Sequence, residues 1–318
     1  MDFFPYEIRS IRPEQDAAAI ADLIKTSFRP WLDEENLDYL GKLREAGEKA
    51  GAHPHWTGLT GFPYNISGFV CVDRDNTILG VINTNEFYSS GNKCCLISNV
   101  CTSGNHRGEG IAAHMLRHAE SVLRTEGCYG LYLQTRLESH GAAGMYKKIG
   151  FAVTDYRESW ILPVRKTLKP FTGSGLRTET VPDADEKNFR KNFQSQYPAS
   201  ILWNLPFTPD LMQTGAFAEF NRLISFYPNR LRRVTGADGE VLVWYNIQKV
   251  INKTDQLWLV QNGTLPAEKL SRCLERICGE ASNNRILKLE IRAGIPPEVF
   301  KKAGFAHQHT LAWMWKKL

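Results

Sequence analysis

Arg107-Gly108-Glu109-Gly110-Ile111-Ala112 sets an arginine and two glycines where an alternating apolar segment gives way to a helical one. Small residues at such a junction let a ligand approach the backbone closely. The first N–H groups of a helix have no partner inside it, and the helix dipole makes that end positive. A diphosphate suits such a place, and Arg107 adds a charge-assisted contact. On its own, a Gly-x-Gly serves equally well as a tight turn. Tyr146 is either a proton donor or a core tyrosine with a satisfied hydroxyl. Glu86 is either a general base or an ordinary exposed strand carboxylate. Cys101 reads as a buried structural thiol, with a catalytic nucleophile as the alternative. His114 and His118 have the i, i+4 spacing of metal ligands. They lack the intervening Glu of HExxH and any third ligand, so a solvated helix face is expected, and no metal. His307 and His309 share a strand face near the C-terminus and are likewise not read as metal ligands.

The elements that must carry these residues follow from periodicity. Residues 6–12 read as a strand, 16–28 and 33–49 as helices, and 69–72 and 78–87 as strands around an Asp75-Asn76 turn. Residues 94–101 form a further strand. Residues 110–126 form a helix with Ile111, Met115, Leu116, Ala119, Val122 and Leu123 inward. A strand over 129–135, a short helix over 142–149 and a strand over 151–162 complete the first half. Between the early elements, 51–65 (GAHPHWTGLTGFPYN) reads as a loop. Its His53, His55, Trp56, Phe62 and Tyr64, with Trp31 before it, form either the wall of a binding site or a self-packed aromatic loop.

A linker around Lys169-Pro170 leads into a second half with the same order of elements. Strands over 175–181, 231–235, 240–250, 255–260 and 287–292 accompany helices over 183–193 and 266–281. Phe300-Lys301-Lys302-Ala303-Gly304-Phe305 echoes Tyr146-Lys147-Lys148-Ile149-Gly150-Phe151. The two runs lie a whole domain apart, too far for a solenoid repeat. The chain therefore reads as two copies of one α/β fold, over residues 1–168 and 175–318.

The stretch Val100 to Ala112 resembles the acetyl-CoA signature of the GNAT superfamily of N-acetyltransferases. Arg107, Gly110 and Ala112 match its Arg/Gln-x-x-Gly-x-Gly/Ala core. Val100 and Thr102 match the preceding V-x-T-x-P element, with Gly104 where proline is common. Ala143, Tyr146, Gly150 and Phe151 resemble the family's A-x-x-Y-x-x-x-G-F helix, and Ser139 stands where asparagine is frequent. The resemblance is specific over residues 70–160. It implies tandem GNAT-like domains with mixed, mainly antiparallel sheets flanked by helices. It also implies acetyl-CoA as co-substrate. Val100, Cys101 and Thr102 would lie along the pantetheine arm, with Arg107, Gly108, Glu109, Gly110, Ile111 and Ala112 at the diphosphate and Ser139 contributing nearby. In the family two strands splay after the signature strand, and Tyr146 matches the general acid that protonates the departing thiolate. The second copy carries Phe300 at that place, and its Gln261-Asn262-Gly263-Thr264-Leu265-Pro266 junction lacks the signature. It is expected to be inactive.

Composition bounds the remaining possibilities. A formal net charge of +5 over 318 residues is too mild to call for a nucleic-acid partner. No apolar run reaches the roughly 20 residues of a membrane span. The N-terminal residues lack a leader's basic and apolar regions, and the seven cysteines show no disulfide-like spacing. A cytoplasmic N-acetyltransferase acting on a small-molecule or peptide amine in a ternary complex is the expectation. A non-catalytic acyl-CoA sensor or scaffold, and a transferase of longer acyl groups, are the alternatives. The acceptor and the oligomeric state are not written in the sequence.

Overall fold

The computed structural model describes residues 4–32, 34–52, 63–164, 175–202, 205, 231–249, 254–281 and 284–318. It divides into two compact units that interleave along the chain. The first takes Met1–Gln134, His140–Ala152 and Met314–Leu318; the second takes Thr135–Ser139 and Val153–Trp313.

The first unit opens with β1 (Glu7–Ser10), α1 (Pro13–Phe28) and α2 (Glu34–Ala52). Then follow β2 (Gly68–Val72), β3 (Ile78–Ser89), β4 (Asn92–Thr102), α3 (Ile111–Thr125), β5 (Gly130–Arg136) and α4 (His140–Lys148). Strands β1 to β4 form an antiparallel meander, and β5 adds parallel to β4. Met314–Leu318 completes this sheet beside β5, where Leu318 N donates to Tyr129 O at 3.0 Å. Helix α1 begins three residues earlier than periodicity alone suggests, because Pro13 supplies a pre-set first turn. Asp16 in that turn accepts from Arg12 N at 2.7 Å and from both Arg9 Nη atoms at 2.7 and 2.9 Å. Helix α3 buries Ile111, Met115, Leu116, Ala119 and Leu123, while Val122 is only half-buried. Gly80 on β3 lets this helix sit close, since a Cβ there would meet Met115 Sδ at 2.9 Å.

The second unit runs β6 (Ala152–Leu162), β7 (Arg177–Thr180), α5 (Glu186–Gln196), α6 (Ala199–Leu202), β8 (Arg232–Thr235), β9 (Val241–Lys249), β10 (Thr254–Gln261), α7 (Ala267–Cys278), β11 (Ile286–Arg292), α8 (Pro297–Lys302) and β12 (Ala306–Lys317). Its meander β7-β8-β9-β10 is antiparallel, β11 adds parallel to β10, and β6 pairs antiparallel with β11. This is the first unit's pattern again, so both copies are mixed, mainly antiparallel sheets flanked by helices. The helix expected over 183–193 starts later, after a 3₁₀ turn at Asp183–Asp185, where Asp185 pairs with Arg233. Helix α7 buries Leu270, Cys273, Leu274, Ile277 and Cys278, the face its periodicity marks. Among the described residues no helix is long and apolar enough to cross a membrane.

Candidate active site

Strands β4 and β5 part company early. Their parallel pairing covers Cys94↔Gly130, Cys95↔Leu131 and Leu96↔Tyr132, and then stops. On its other side β4 stays paired with β3 through Thr102. Here Ile82 faces both Asn99 and Val100, and Asn99 takes a left-handed φ of 50°. A bulge of this kind turns the strand and increases its twist. The stretch Ile97 to Thr102, with Val100 and Thr102 half-buried, thus has its β5-facing edge free of strand pairing. An extended amide-bearing arm finds backbone donors and acceptors there.

That edge leads to the start of α3. Gly110 is the N-cap, with φ 78°, and no side chain caps the helix. Gly108 also has positive φ, at 87°, and a Cβ on either glycine would meet nothing within 4 Å. The first amides of a four-turn helix are therefore open to a ligand, and Ile111 anchors the turn by its own burial. Arg107 is exposed beside them. Glu109, the one negative charge in the run, is drawn aside. Tyr6 Oη donates to it at 2.6 Å and His106 Nδ1 lies 3.3 Å away. These contacts, Tyr6 first, hold its carboxyl below the usual range. The residues that the signature brings to this loop fit a diphosphate.

Tyr146 on α4 is 6% exposed, its ring edge-on to Phe151 at 6.0 Å. Burial, and next the nearby Cys101, raise its phenol above the ordinary value near 10. Cys101 is itself pushed up to about 12 by burial, with Ser27 and Arg107 opposing. A thiol held protonated this firmly is a poor nucleophile. Ser139 lies in the turn after β5, its N–H donating to Arg136 O at 3.0 Å.

Glu86 is not gathered with these groups. Its side chain is 52% exposed and ion-paired to Lys93 at 2.7 Å. On β3 it alternates with Asn85, which lines a cavity of about 150 Å³. That cavity is bounded by Ile20, Ile24 and Leu43 of α1 and α2 and by a polar set: Tyr39, Ser67, Asn83, Asn85, Ser98 and Asn99. Asn99 Nδ2 donates to Asn83 Oδ1 at 3.0 Å, and Asn83 Nδ2 to Ser67 O at 3.1 Å.

The Acetyltransferase (GNAT) family model matches residues 19–151. Streptothricin acetyltransferase of Streptomyces lavendulae is 31% identical over 157 residues, which span 46% of this chain and 82% of that protein. The chain belongs to the GNAT acetyltransferase family. It is accordingly an acyltransferase. A GCN5-related N-acetyltransferase from Sphaerobacter thermophilus has a TM-score of 0.58 at 16% identity, covering 98% of this chain and 96% of that one. A glucosamine N-acetyltransferase region of a fungal multi-domain GH3 beta-N-acetylglucosaminidase has a TM-score of 0.51 at 11% identity, covering 98% and 38%. At these identities the likeness is one of fold, and it takes in both halves of the chain.

Two parts of this GNAT site lay outside the motif reading. Asn83 and Asn85 alternate on a strand that is otherwise apolar before them, and this period-two polar pair was the available signal for the cavity. Tyr6 restrains Glu109 across 103 residues of sequence, which no local pattern reports, beside the neighbouring His106. The histidines His114 and His118 are half-buried rather than solvated. His114 stacks on Phe4 at 4.1 Å, and His118 meets Phe69 edge-on at 4.9 Å. Of the aromatic stretch, His53, His55, Trp56 and Phe62 lie outside the described residues. Tyr64 packs edge-on against Tyr39 at 5.7 Å, while Trp31 is largely exposed. In the second unit Phe300 is fully buried and stacked on Trp160 at 4.4 Å, with no hydroxyl to offer.

Proposed function

We propose that this chain is an N-acetyltransferase that moves an acetyl group from acetyl-CoA to a primary amine by direct attack in a ternary complex. The observation that carries this reading is the parting of β4 from β5 onto the uncapped start of α3, beside buried Tyr146. Acetyl-CoA supplies an acetyl group already activated as a thioester. Val100, Cys101 and Thr102 offer backbone groups along the free edge of β4. Arg107, Gly108, Gly110, Ile111 and Ala112 offer donors to a diphosphate, with Glu109 held back by Tyr6 and with Ser139 as a further contact. Tyr146 keeps its proton at Oη and gives it to the departing sulfur. Because burial holds the Cys101 thiol protonated, direct attack is favoured over a covalent relay.

The 150 Å³ cavity is the acceptor's place in this reading. Its described lining is amide, hydroxyl and apolar, with no carboxylate and no histidine. It suits a polar acceptor held by neutral hydrogen bonds. An ordinary alkyl amine has a pKa near 10.4, so about one part in a thousand is neutral at pH 7.4. Glu86 stands away from this lining, and water in the polar cavity is the better route for the amine's proton. The curated relative's name makes a streptothricin the first acceptor to try, ahead of other antibiotics, amino sugars and peptide amines. The protein is taken to work in the cytoplasm, where acetyl-CoA is plentiful and buried thiols stay reduced.

The test is an amine panel read as CoA release, with mass detection of the acetylated product. Release with at least one primary amine is expected, and faster from acetyl-CoA than from longer acyl thioesters. Tight acetyl-CoA binding with no turnover on any amine would instead leave a binding module.

A further inference from the structure

The second unit holds a cavity of about 530 Å³, within the range of small-molecule sites. It opens where β10 and β11 part, since their parallel pairing ends at Leu257↔Leu289. The backbone edge exposed there is already in use. Tyr197 Oη lies 3.1 Å from Leu259 O and 3.3 Å from Glu290 O, bridging the two strands. Gln196 donates to Gln261 O at 2.8 Å and accepts from Gln261 N at 2.9 Å. Gly263 N donates to Asn192 at 3.2 Å. Side chains from α5 and its end therefore satisfy the groups that an extended amide arm would need. The cavity that remains beside them has a different character.

Its charged lining residues are Arg157 and Arg292, with no acid among them. Arg157 is 1% exposed, and its Nε has no partner. Its other nitrogens reach Gln196 O at 3.1 Å, Glu290 O at 3.3 Å and Asp155 Oδ2 at 3.4 Å. Asp155 is shared, because Arg292 Nε also donates to it at 3.0 Å. Arg157 and Arg292 thus share one carboxylate that is not itself part of the lining, and the buried Nε of Arg157 is left for a ligand. A donor on a buried cation is costly to leave unsatisfied. The lining also includes Ala267 at the start of α7, a helix without a side-chain cap, whose dipole adds to the positive potential. The lining also has an apolar part: Leu259, Leu265, Leu270, Ile291, Ile295 and Pro296.

We propose that this cavity is a second ligand site that binds a small organic carboxylate, its charge toward Arg157 and Arg292 and its apolar body on the leucine and isoleucine wall. The site is separate from the candidate active site and does not depend on the proposed acetyl transfer. The experiment is calorimetry on the full chain with three probes: isovalerate, the isosteric neutral isovaleramide, and inorganic phosphate. Isovalerate should bind saturably, and the amide and phosphate at least roughly tenfold more weakly, since each lacks the charge or the apolar body. Two variants check the location. Arg292→Gln removes a cation whose side chain is 54% exposed, and Ser195→Trp fills the cavity from an exposed lining position. Each should weaken isovalerate roughly tenfold or more while leaving acetyl-CoA binding unchanged. Equal binding of acid and amide overturns the proposal. So does unaltered isovalerate binding in both variants, or no saturation up to about 50 mM. A second CoA equivalent displaced by isovalerate would show the cavity to be a cofactor site instead.

Discussion

Burial at Tyr146 has a direct chemical consequence. A general acid must carry its proton at the working pH, and a phenol raised above 10 does so throughout the neutral range. Tyr146→Phe keeps the ring against Phe151 and removes only the donor. The natural Phe300, buried in the second copy, indicates that the fold accepts this exchange. The variant should bind acetyl-CoA as the wild type does and lose roughly 10²–10⁴-fold in kcat, or about 3–5 kcal/mol in the barrier. Single-turnover kinetics with a confirmed acceptor isolates the chemical step from product release. Because the folded value is raised, the wild-type rate should not fall with rising pH until beyond about 10 on account of this group. An unchanged chemical rate in the phenylalanine variant would make Tyr146 a packing residue and send the search for the acid elsewhere.

At the scale of elements, the junction between β4 and α3 joins an open strand edge to a helix end with free amides. Gly110→Asp tests it without removing a core contact. A Cβ at Gly110 meets nothing within 4 Å, and aspartate tolerates the left-handed region better than most residues. The variant should fold, with strain of about 1 kcal/mol. Its carboxylate would sit at the helix N-terminus, take the amides for itself and repel a diphosphate. Acetyl-CoA affinity should drop by roughly 10–100-fold in calorimetry, with Gly110→Ala much less affected. Full affinity in a folded Gly110→Asp protein would move the diphosphate away from this loop. The junction was legible in the sequence because it is local: strand, turn and helix signals fall within a dozen residues. Helix faces were legible for the same reason, as Leu270, Cys273, Leu274 and Ile277 illustrate. The 150 Å³ cavity was not, because Tyr39, Asn83 and Asn99 come from three elements, and the bulge that sets Asn99 opposite Ile82 leaves no mark on periodicity. Glu86 shows the converse. Its place near a strand end suggested chemistry, but alternation puts it on the face away from Asn85, where Lys93 claims it.

The two copies have the same strand order and the same early parting of a parallel pair, yet they treat the opened edge in opposite ways. In the first unit, Leu96↔Tyr132 is followed by an unpaired stretch of β4 and an uncapped α3 with two positive-φ glycines. In the second, Leu257↔Leu289 is followed by an edge occupied by Tyr197, Gln196 and Asn192, and Phe300 replaces the tyrosine. Element order exposed the repetition in the sequence. The interleaving of the units, with Met314–Leu318 joining the first, did not show, because periodicity reports a strand but not its partner. We therefore predict one acetyl-CoA per chain, bound in the first unit. Calorimetry on the full protein should give a stoichiometry near one, and Gly110→Asp should weaken that single site rather than leave a second one behind. Gln196→Ala serves as the complementary test, since it frees Gln261 N and O without restoring an Arg-x-x-Gly-x-Gly/Ala loop. It should remain without a second site, because an amide-binding edge alone gives only about 0.5–1.5 kcal/mol per hydrogen bond, far short of a diphosphate's charged contacts. Two equivalents in the wild type would mean that the occupied edge yields to the cofactor and that the second copy still binds it.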